Sequence, residues 1–180
     1  MGHPALASPA QPVTPETVPD LPNLLVDMAD SMNAVGGVGL AAPQIAEQVR
    51  VIIFKIPEER VGKTPEDTPQ ALQVLINPEI EPVGAETQVG WEGCLSLPGM
   101  CGEVSRHARI RYWGLDGKGN RIEREVTGFH ARVIQHEIDH LDGILYPQRM
   151  TDMSRFGYVD EMSAATETAS RDLGQDDEGG

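Results

Sequence analysis

The sequence predicts an α+β fold in which mostly antiparallel strands pack around a central helix that carries an H-E-x-x-H motif. Two observations support this fold class. Several short segments alternate apolar and polar residues, as strands with one buried face do. One segment between residues 127 and 143 is apolar on most of its helical circumference, which is typical of a core helix. With 180 residues and 39% hydrophobic content, the chain is long enough for one core.

The chain begins with a proline-rich segment that leads into a predicted helix. Residues 1–20 contain five prolines, so we expect an extended segment that covers the core. Asp20 is a candidate N-cap for a helix that ends at Gly36 and Gly37. The apolar stripe of this helix comprises Leu21, Leu24, Leu25, Met28, Met32 and Val35.

Strand signals follow the first helix. Segments 49–54 and 74–77, and the residues around 80–83, are rich in the β-branched and apolar residues that favour strands. A polar stretch at about 58–72 separates the first of these segments from the others and is predicted to be a loop.

A hairpin is predicted closer to the motif helix. Ala108, Ile110 and Tyr112 alternate with charged neighbours, which indicates a strand with one buried face. The run Asp-Gly-Lys-Gly-Asn at 116–120 is rich in turn-forming residues and returns the chain into a second strand at 122–126. This pairing is antiparallel.

The helix predicted between Thr127 and Gly143 has two faces with large apolar residues. Thr127 is a candidate N-cap and Gly143 a candidate terminator. Buried histidines and a buried glutamate need polar partners, because an unpaired buried polar group is costly. A metal ion would supply them. One stripe contains Phe129, Val133, His136 and His140, and a roughly opposite face contains Ala131, Ile134, Ile138 and Leu141.

The H-E-x-x-H motif spans residues 136–140. His136 and His140 are four residues apart and therefore lie on one side of the helix, where both imidazoles can bind one metal ion. A metal lowers the pKa of its bound water to about 7, and the adjacent Glu137 can accept and return a proton. This layout is typical of metal-activated water that attacks a carbonyl group.

The third metal ligand distinguishes the classes of metalloenzyme. A metzincin would have a histidine at position 146, where this chain has Tyr146. A glutamate about twenty residues downstream, as in thermolysin-like proteases, would be Glu161, where the chain is already becoming polar. Cys94 is the better candidate, because a thiolate is a strong ligand and the nearby glycines and proline suit a tight segment against the metal.

Three motifs occur in order along the chain. They are Gly-Val-Gly-Leu-Ala-Ala-Pro-Gln at 37–44, Glu-Gly-Cys-Leu-Ser at 92–96 and Gln-His-Glu-Ile-Asp-His at 135–140. With this spacing, the chain resembles the peptide deformylase family over about residues 2–150. The resemblance implies an enzyme that removes the N-formyl group from formyl-methionine of nascent bacterial or organellar polypeptides and releases formate.

The resemblance also implies roles for individual residues. Cys94, His136 and His140 are expected to hold one divalent metal ion, which in the family is Fe(II) in the cell and often Zn(II) or Ni(II) after purification. Glu137 is expected to be the general base. The Gln44 side-chain amide and the Leu95 backbone N–H are expected to stabilise the tetrahedral oxyanion.

The helix stripe also suggests a substrate pocket. Phe129 and Val133 lie two turns and one turn before His136 on the metal-facing side, so they could line an apolar pocket for the methionine side chain. Gly39 has no side chain and would let a peptide backbone approach closely, as an added strand. A formyl group is small enough for such a closed site, whereas an acetyl group adds a methyl.

Two other classes of function remain open on the sequence alone. In a non-catalytic protein, a structural zinc site would need a fourth ligand, which would be Cys101 or His130. The other alternative is a small H-E-x-x-H metalloprotease. Cys101 also stands where related sequences often carry an arginine that helps to hold the peptide, a role that Arg106 could take instead.

Charge and composition limit the partners. There are 14 Lys plus Arg against 28 Asp plus Glu, a formal charge of −14, which argues against direct nucleic-acid binding. No apolar run approaches the roughly 20 residues of a membrane span, and no signal peptide is evident. Two cysteines do not form a disulfide framework, and a reducing cytoplasm suits a free thiolate.

One catalytic domain is predicted at residues 1–162, followed by an acidic tail at 163–180. The tail is small, polar and acidic, so we expect disorder. Some deformylases end in a basic helix that contacts the ribosome. This tail has the opposite charge, so ribosome contact by that route is not expected, although transient contact remains compatible with the sequence.

Overall fold

The computed structural model describes residues 1–18, 20–61 and 68–163, which include two complete helices, eight strands and five short 3-10 helices, with helical backbone also at 159–163. The helices are α1 (Leu21–Ala34) and α2 (Gly128–Leu141). The strands are β1 (Gly39–Ala41), β2 (Val51–Ile56), β3 (Gln70–Pro82), β4 (Thr87–Cys94), β5 (Leu97–His107), β6 (Arg109–Leu115), β7 (Arg121–Thr127) and β8 (Phe156–Tyr158). The 3-10 helices are Pro4–Leu6, Ala42–Ile45, Glu58–Arg60, Tyr146–Arg149 and Met153–Arg155.

The strands form two antiparallel sheets, so the predicted α+β class is confirmed. In the described parts of the chain, one sheet has the order β1-β2-β3-β6-β7 and the other has the order β4-β5-β8. Helix α2 contacts both sheets, as the central helix of the prediction should. Strands β1 and β4 are therefore edge strands, one in each sheet.

The main core lies between α2 and the five-stranded sheet. Ile134 and Leu141 of α2 are completely buried and pack with apolar residues of β2, β3 and β6. A second cluster forms where Met28 and Met32 of α1 cover the other part of that sheet. A third, smaller cluster supports the three-stranded sheet and includes Leu97, Val104 and Tyr146.

Strand β3 joins two segments that the sequence analysis predicted separately. Segments 74–77 and 80–83 belong to one strand whose register shifts between Ile76 and Glu79. Asn77 lies at this irregularity with φ of 49°, a backbone conformation that asparagine tolerates better than most residues. Its side chain bonds the backbone N–H and C=O of Val13 at 2.7 and 3.1 Å, which ties the N-terminal segment to the sheet.

Some local predictions were wrong. Asp20 stands at the predicted N-cap position of α1, but its side chain accepts a hydrogen bond from Asn23 and makes no capping bond to the helix backbone. Val35 was predicted to belong to the apolar stripe of this helix. It follows the end of α1 and is 60% exposed, so it is not part of the buried face. The N-terminal segment contains a 3-10 turn at Pro4–Leu6, because Ala5 and Leu6 are buried there.

The three-stranded sheet was not predicted. Strands β4 and β5 contain Gly90, Gly93, Gly99 and Gly102, and glycine weakens a strand signal. After residue 150 the chain also forms β8, which pairs with β5. Residues 164–180, to which the predicted disorder mainly refers, lie outside the described residues. Neither α1 nor α2 is long and apolar enough to cross a membrane, and no other described helix is.

Candidate active site

Three potential metal donors come together between β4 and α2. Cys94 is the last residue of β4, and His136 and His140 lie one turn apart on α2. The Cys94 Sγ is 3.2 Å from the His140 Nε2, and one donor atom from each of the three residues lies within 4.8 Å of the other two. Three donor atoms that each lie about 2.0–2.3 Å from one metal ion are separated from one another by distances of this size. The thiolate and imidazole set therefore fits a divalent transition metal.

Gln44 is held with its amide nitrogen towards this group. Its Oε1 accepts a hydrogen bond from the Ala41 N–H at 2.8 Å, which determines the orientation of the amide. Its Nε2 is 3.7 Å from the Cys94 Sγ and donates to the Ser96 Oγ at 3.2 Å. Leu95 follows Cys94 in the turn between β4 and β5, so its backbone N–H adjoins the sulfur through the chain. The Gln44 amide thus lies beside the donor group, and Leu95 adjoins Cys94 along the chain.

Glu137 lies at the base of the cleft with little competition for its carboxylate. The residue is buried, and its Oε2 has no hydrogen-bond partner among the described residues. Burial raises the pKa of Glu137 to about 7, because the charged form is poorly solvated. Gly39 on β1 faces it so closely that a Cβ at this position would overlap the Glu137 carboxylate. Glycine is therefore needed here to make room for the glutamate, a reason that the sequence did not reveal.

Glu92 orients His136 from behind. Its Oε2 is 2.8 Å from the His136 Nδ1, which leaves the other ring nitrogen free for the donor group. The same carboxylate accepts two hydrogen bonds from Arg106, both at 2.9 Å, and one from Arg132 at 2.8 Å. Burial alone would raise the pKa of Glu92, but Arg106 and His136 outweigh it and hold that pKa far below its usual range.

A second carboxylate continues this network along α2. The Asp139 Oδ2 accepts from the Arg106 Nη1 at 2.6 Å, and its Oδ1 accepts from the Arg149 Nη2 at 2.7 Å. Asp139 and Arg106 are both almost completely buried. The chain of contacts from Glu92 through Arg106 to Asp139 therefore ties β4, β5 and α2 together beside the donor group.

A cleft of about 610 Å³ opens over the site between two sheet edges. Val38 and Gly39 line one side, and the β4 residues from Trp91 to Cys94 line the other. Phe129 and Val133 line the cleft next to His136, as predicted from the helix stripe. An apolar pocket beside the donor group is therefore present.

Several other candidates lie away from the site. His130 is buried against Phe54 and Tyr112, with its Nε2 3.3 Å from the Tyr112 hydroxyl, and burial lowers its pKa to about 4. Among the described residues, the donor group contains neither His130 nor Cys101, and Glu161 is also outside it. The described residues therefore offer no fourth protein ligand at this site, which a structural zinc site would need. The suggestion that Arg106 anchors the substrate is wrong, because Glu92 and Asp139 occupy its guanidinium.

Comparison with known proteins decides the family. The model of the polypeptide deformylase family matches residues 1–156. The chain belongs to the polypeptide deformylase family. It is 49% identical over 162 residues to peptide deformylase 1 of Nitrosomonas europaea. This alignment covers 90% of this chain and 91% of that protein.

Solved structures agree with this assignment. The crystal structure of peptide deformylase from Ehrlichia chaffeensis is similar with a TM-score of 0.77 at 29% identity, covering 94% of this chain and 93% of that one. A crystal structure of a class I type b peptide deformylase from Acinetobacter baumannii with Met-Ala-Ser bound has a TM-score of 0.72 at 35% identity, covering 83% and 94%.

Sequence reasoning missed the charged network of this deformylase site. Arg132, Gln135, His136 and Asp139 are spaced as i, i+3, i+4 and i+7, so they form a polar stripe on an otherwise buried helix. This stripe indicates that one face of α2 packs against polar groups of another segment. The identity of its partners, Glu92 and Arg106, depends on the fold of strands that the sequence did not predict.

Proposed function

We propose that this chain removes the formyl group from N-formylmethionyl nascent peptides by metal-assisted hydrolysis at the site formed by Cys94, His136, His140 and Glu137. Members of the polypeptide deformylase family are enzymes that remove N-formyl groups, and this chain is one of them. The observation that carries the residue assignment is the donor group itself, placed beside a buried carboxylate at the base of an open cleft.

The family and the donor group indicate one divalent metal ion. Cys94, His136 and His140 would hold it, and when bound it would supply a Lewis acid that activates water and polarises the formyl oxygen. The same ligands accept Fe(II), Zn(II) and Ni(II). We assign Fe(II) as the ion in the cell.

Glu137 would act as the proton carrier. Its carboxylate accepts a proton from the attacking water and returns it to the amine of methionine when the C–N bond breaks. The unpaired Oε2 supports this role, because no donor in the described part of the chain competes for it. Gln44 and the Leu95 N–H would donate to the oxyanion, and the bond from Ala41 keeps the Gln44 amide nitrogen facing the site before substrate arrives.

The peptide would lie as an extended strand between β1 and β4. Both are edge strands, so each leaves backbone groups available on one side for an added strand. The methionine side chain would enter the pocket beside Phe129 and Val133. The Acinetobacter baumannii relative was crystallised with Met-Ala-Ser, a peptide of the kind that deformylation would produce.

Location and partners follow from the same chemistry. We place the enzyme in the reducing cytoplasm, where Cys94 stays a free thiol. Its net charge of −14 favours contact with the nascent peptide over direct binding to nucleic acid. We take residues 1–162 as one catalytic unit, a range that contains the whole match to the family model.

The deciding experiment is an anaerobic assay of formate release from formyl-Met-Ala-Ser and of acetate release from its acetylated counterpart. We expect turnover of the first, and about 10- to 200-fold slower turnover of the second because of its extra methyl. Unformylated peptides are assayed in parallel. Cleavage of their internal bonds would identify a metalloprotease instead, and absence of formate release would refute the proposal.

A further inference from the structure

A second cavity continues from the cleft over the active site. It also has a volume of about 610 Å³, and it shares Gly36, Val38 and Arg60 with the first cleft. Its remaining described lining includes Lys55, Glu59 and Gln70. The surface between the two cavities is therefore one groove, which runs from the donor group past the residues that precede β1.

Two cations line this second cavity in a protein of strongly negative charge. The guanidinium of Arg60 lies 4.1 Å above the centre of the Phe129 ring, which fixes it at the boundary between the two cavities. Lys55 is half-buried in β2, where its backbone N–H donates to the Val38 carbonyl. Within residues 1–18, 20–61 and 68–163, neither side chain forms an ion pair.

Arg132 provides a contrast within the first cleft. It also lines the cleft, but its guanidinium donates to the Glu92 carboxylate and to the carbonyls of Gln88, Gly90 and Val104. Its hydrogen-bonding capacity is used to join α2 to the three-stranded sheet. Arg60 and Lys55 differ from Arg132 in forming no ion pair with any described residue, and Glu59 is the one carboxylate among the described residues of the second cavity.

An extended peptide bound at the active site would be long enough to pass Lys55 and Arg60. Gly39 lies against Glu137, and Gly36 is three residues earlier along the same stretch of chain. An extended peptide advances about 3.3 Å per residue. A peptide whose first residue is at Gly39 and which follows this stretch therefore has its third and fourth residues beside Gly37 and Gly36, and Gly36 lines both cavities.

We propose that Lys55 and Arg60 form a subsite for acidic side chains at the third and fourth positions of the formylated peptide. This inference rests on the proposed function, because it needs a peptide substrate bound along β1. The cations would attract aspartate or glutamate and lower the KM for such peptides. The chemical step is distant, so kcat should change less than KM.

The test compares two peptide amides, formyl-Met-Ala-Asp-Asp and formyl-Met-Ala-Lys-Lys, by formate release. The quantity measured is the ratio of their kcat/KM values, acidic over basic. In the double variant Lys55→Gln/Arg60→Gln this ratio should fall by about fivefold, the range expected for two partly exposed ion pairs. Salt at about 1 M should remove most of the difference between parent and variant, because charges are then screened within about 3 Å.

The matched control removes two cations elsewhere. Arg111→Gln/Arg121→Gln changes the net charge by the same amount, but both residues are exposed on β6 and β7 and line neither cavity. The ratio in this control should equal that of the parent. An equal fall in both double variants, or no fall in Lys55→Gln/Arg60→Gln, would overturn the subsite.

The short substrate formyl-Met-Ala amide separates this inference from the proposed function. It ends before the second cavity and reports only on the site at the donor group. If the parent releases no formate from it or from the longer peptides, the proposed function fails. If the parent releases formate but shows no cation-dependent charge preference, only the subsite fails.

Discussion

Helix α2 contacts the two sheets through two faces that differ in chemistry. Towards the five-stranded sheet it presents Ile134, Ile138 and Leu141, which pack with apolar residues. Towards the three-stranded sheet it presents Arg132, His136 and Asp139, which form ion pairs and hydrogen bonds. The first interface depends mainly on buried apolar area, which has little directional preference. The second depends on geometry, because hydrogen bonds weaken steeply when atoms move.

This difference suggests a division of labour along one helix. The apolar interface should supply much of the free energy of folding, while the polar interface should position the groups that carry the chemistry. Substitutions on the two faces can therefore test whether stability and activity separate in this way.

The largest effect is expected for Glu137→Gln. This substitution keeps the shape of the side chain but removes its ability to carry a proton, so kcat/KM for formyl-Met-Ala-Ser should fall by about 10²- to 10⁴-fold. Metal content and the free energy of unfolding should stay close to the parent values, because the Glu137 Oε2 has no hydrogen-bond partner within the described residues that the substitution could remove. A variant within tenfold of the parent activity would exclude Glu137 as the proton carrier.

Glu92→Gln should affect both metal affinity and stability. Loss of the carboxylate behind His136 should weaken metal binding by about 10- to 100-fold, as loss of such supporting groups generally does. It also leaves Arg106 without one of its two buried partners, which should lower the free energy of unfolding by about 3–5 kcal/mol. Metal titration and urea unfolding at neutral pH measure the two effects.

The stability effect of Glu92→Gln should also depend on pH in a defined direction. The folded-state pKa of Glu92 lies below its ordinary value of 4.5, so the carboxylate stabilises the fold above that pH. This contribution is lost as the pH falls from there through the folded-state pKa. The difference in unfolding free energy between parent and variant should therefore be constant above about pH 5 and shrink at lower pH. A difference that grows on acidification would contradict the assigned ion pairs.

Ile134→Ala tests the apolar interface. Ile134 is completely buried in the main core, so this truncation should lower the free energy of unfolding by about 2–5 kcal/mol. The folded fraction should keep kcat/KM within about twofold of the parent, because Ile134 packs in the apolar cluster against the five-stranded sheet, which contains none of the three donor residues. Val89→Ala is the control, since Val89 is 61% exposed and its truncation should change stability by less than about 0.5 kcal/mol. A large loss of activity in folded Ile134→Ala would contradict the proposal that the apolar interface contributes to stability and not to catalysis.

The motif helix shows how much local pattern can predict. The spacing of His136 and His140, and the apolar residues around them, predicted a buried helix with a metal site, and the structure has α2 at Gly128–Leu141. The segments around β2 and β3 were also found from their β-branched and apolar residues, and β6 from its alternation of apolar and polar residues, which reflects one buried face.

The second sheet shows where such patterns fail. Strands β4 and β5 carry several glycines. These glycines allow close contacts that form only in the folded chain. Gly90 makes room for the Arg132 guanidinium, and Gly102 makes room for Met150. Tertiary contacts therefore stabilise these strands in spite of weak local preferences.

The sequence by itself determined the family, the fold class and the residues that can hold a metal, because motif spacing and periodicity are local properties of the chain. Only the tertiary structure decided which groups support the site. Glu92 and Arg106 are 44 and 30 residues away from His136 in sequence, and no local pattern states that they meet it or each other. The same holds for Lys55 and Arg60, whose position beside the cleft depends on how β1 and β2 pack against α2. Contacts between distant segments arise from the packing of whole elements, which the sequence specifies only through the complete fold.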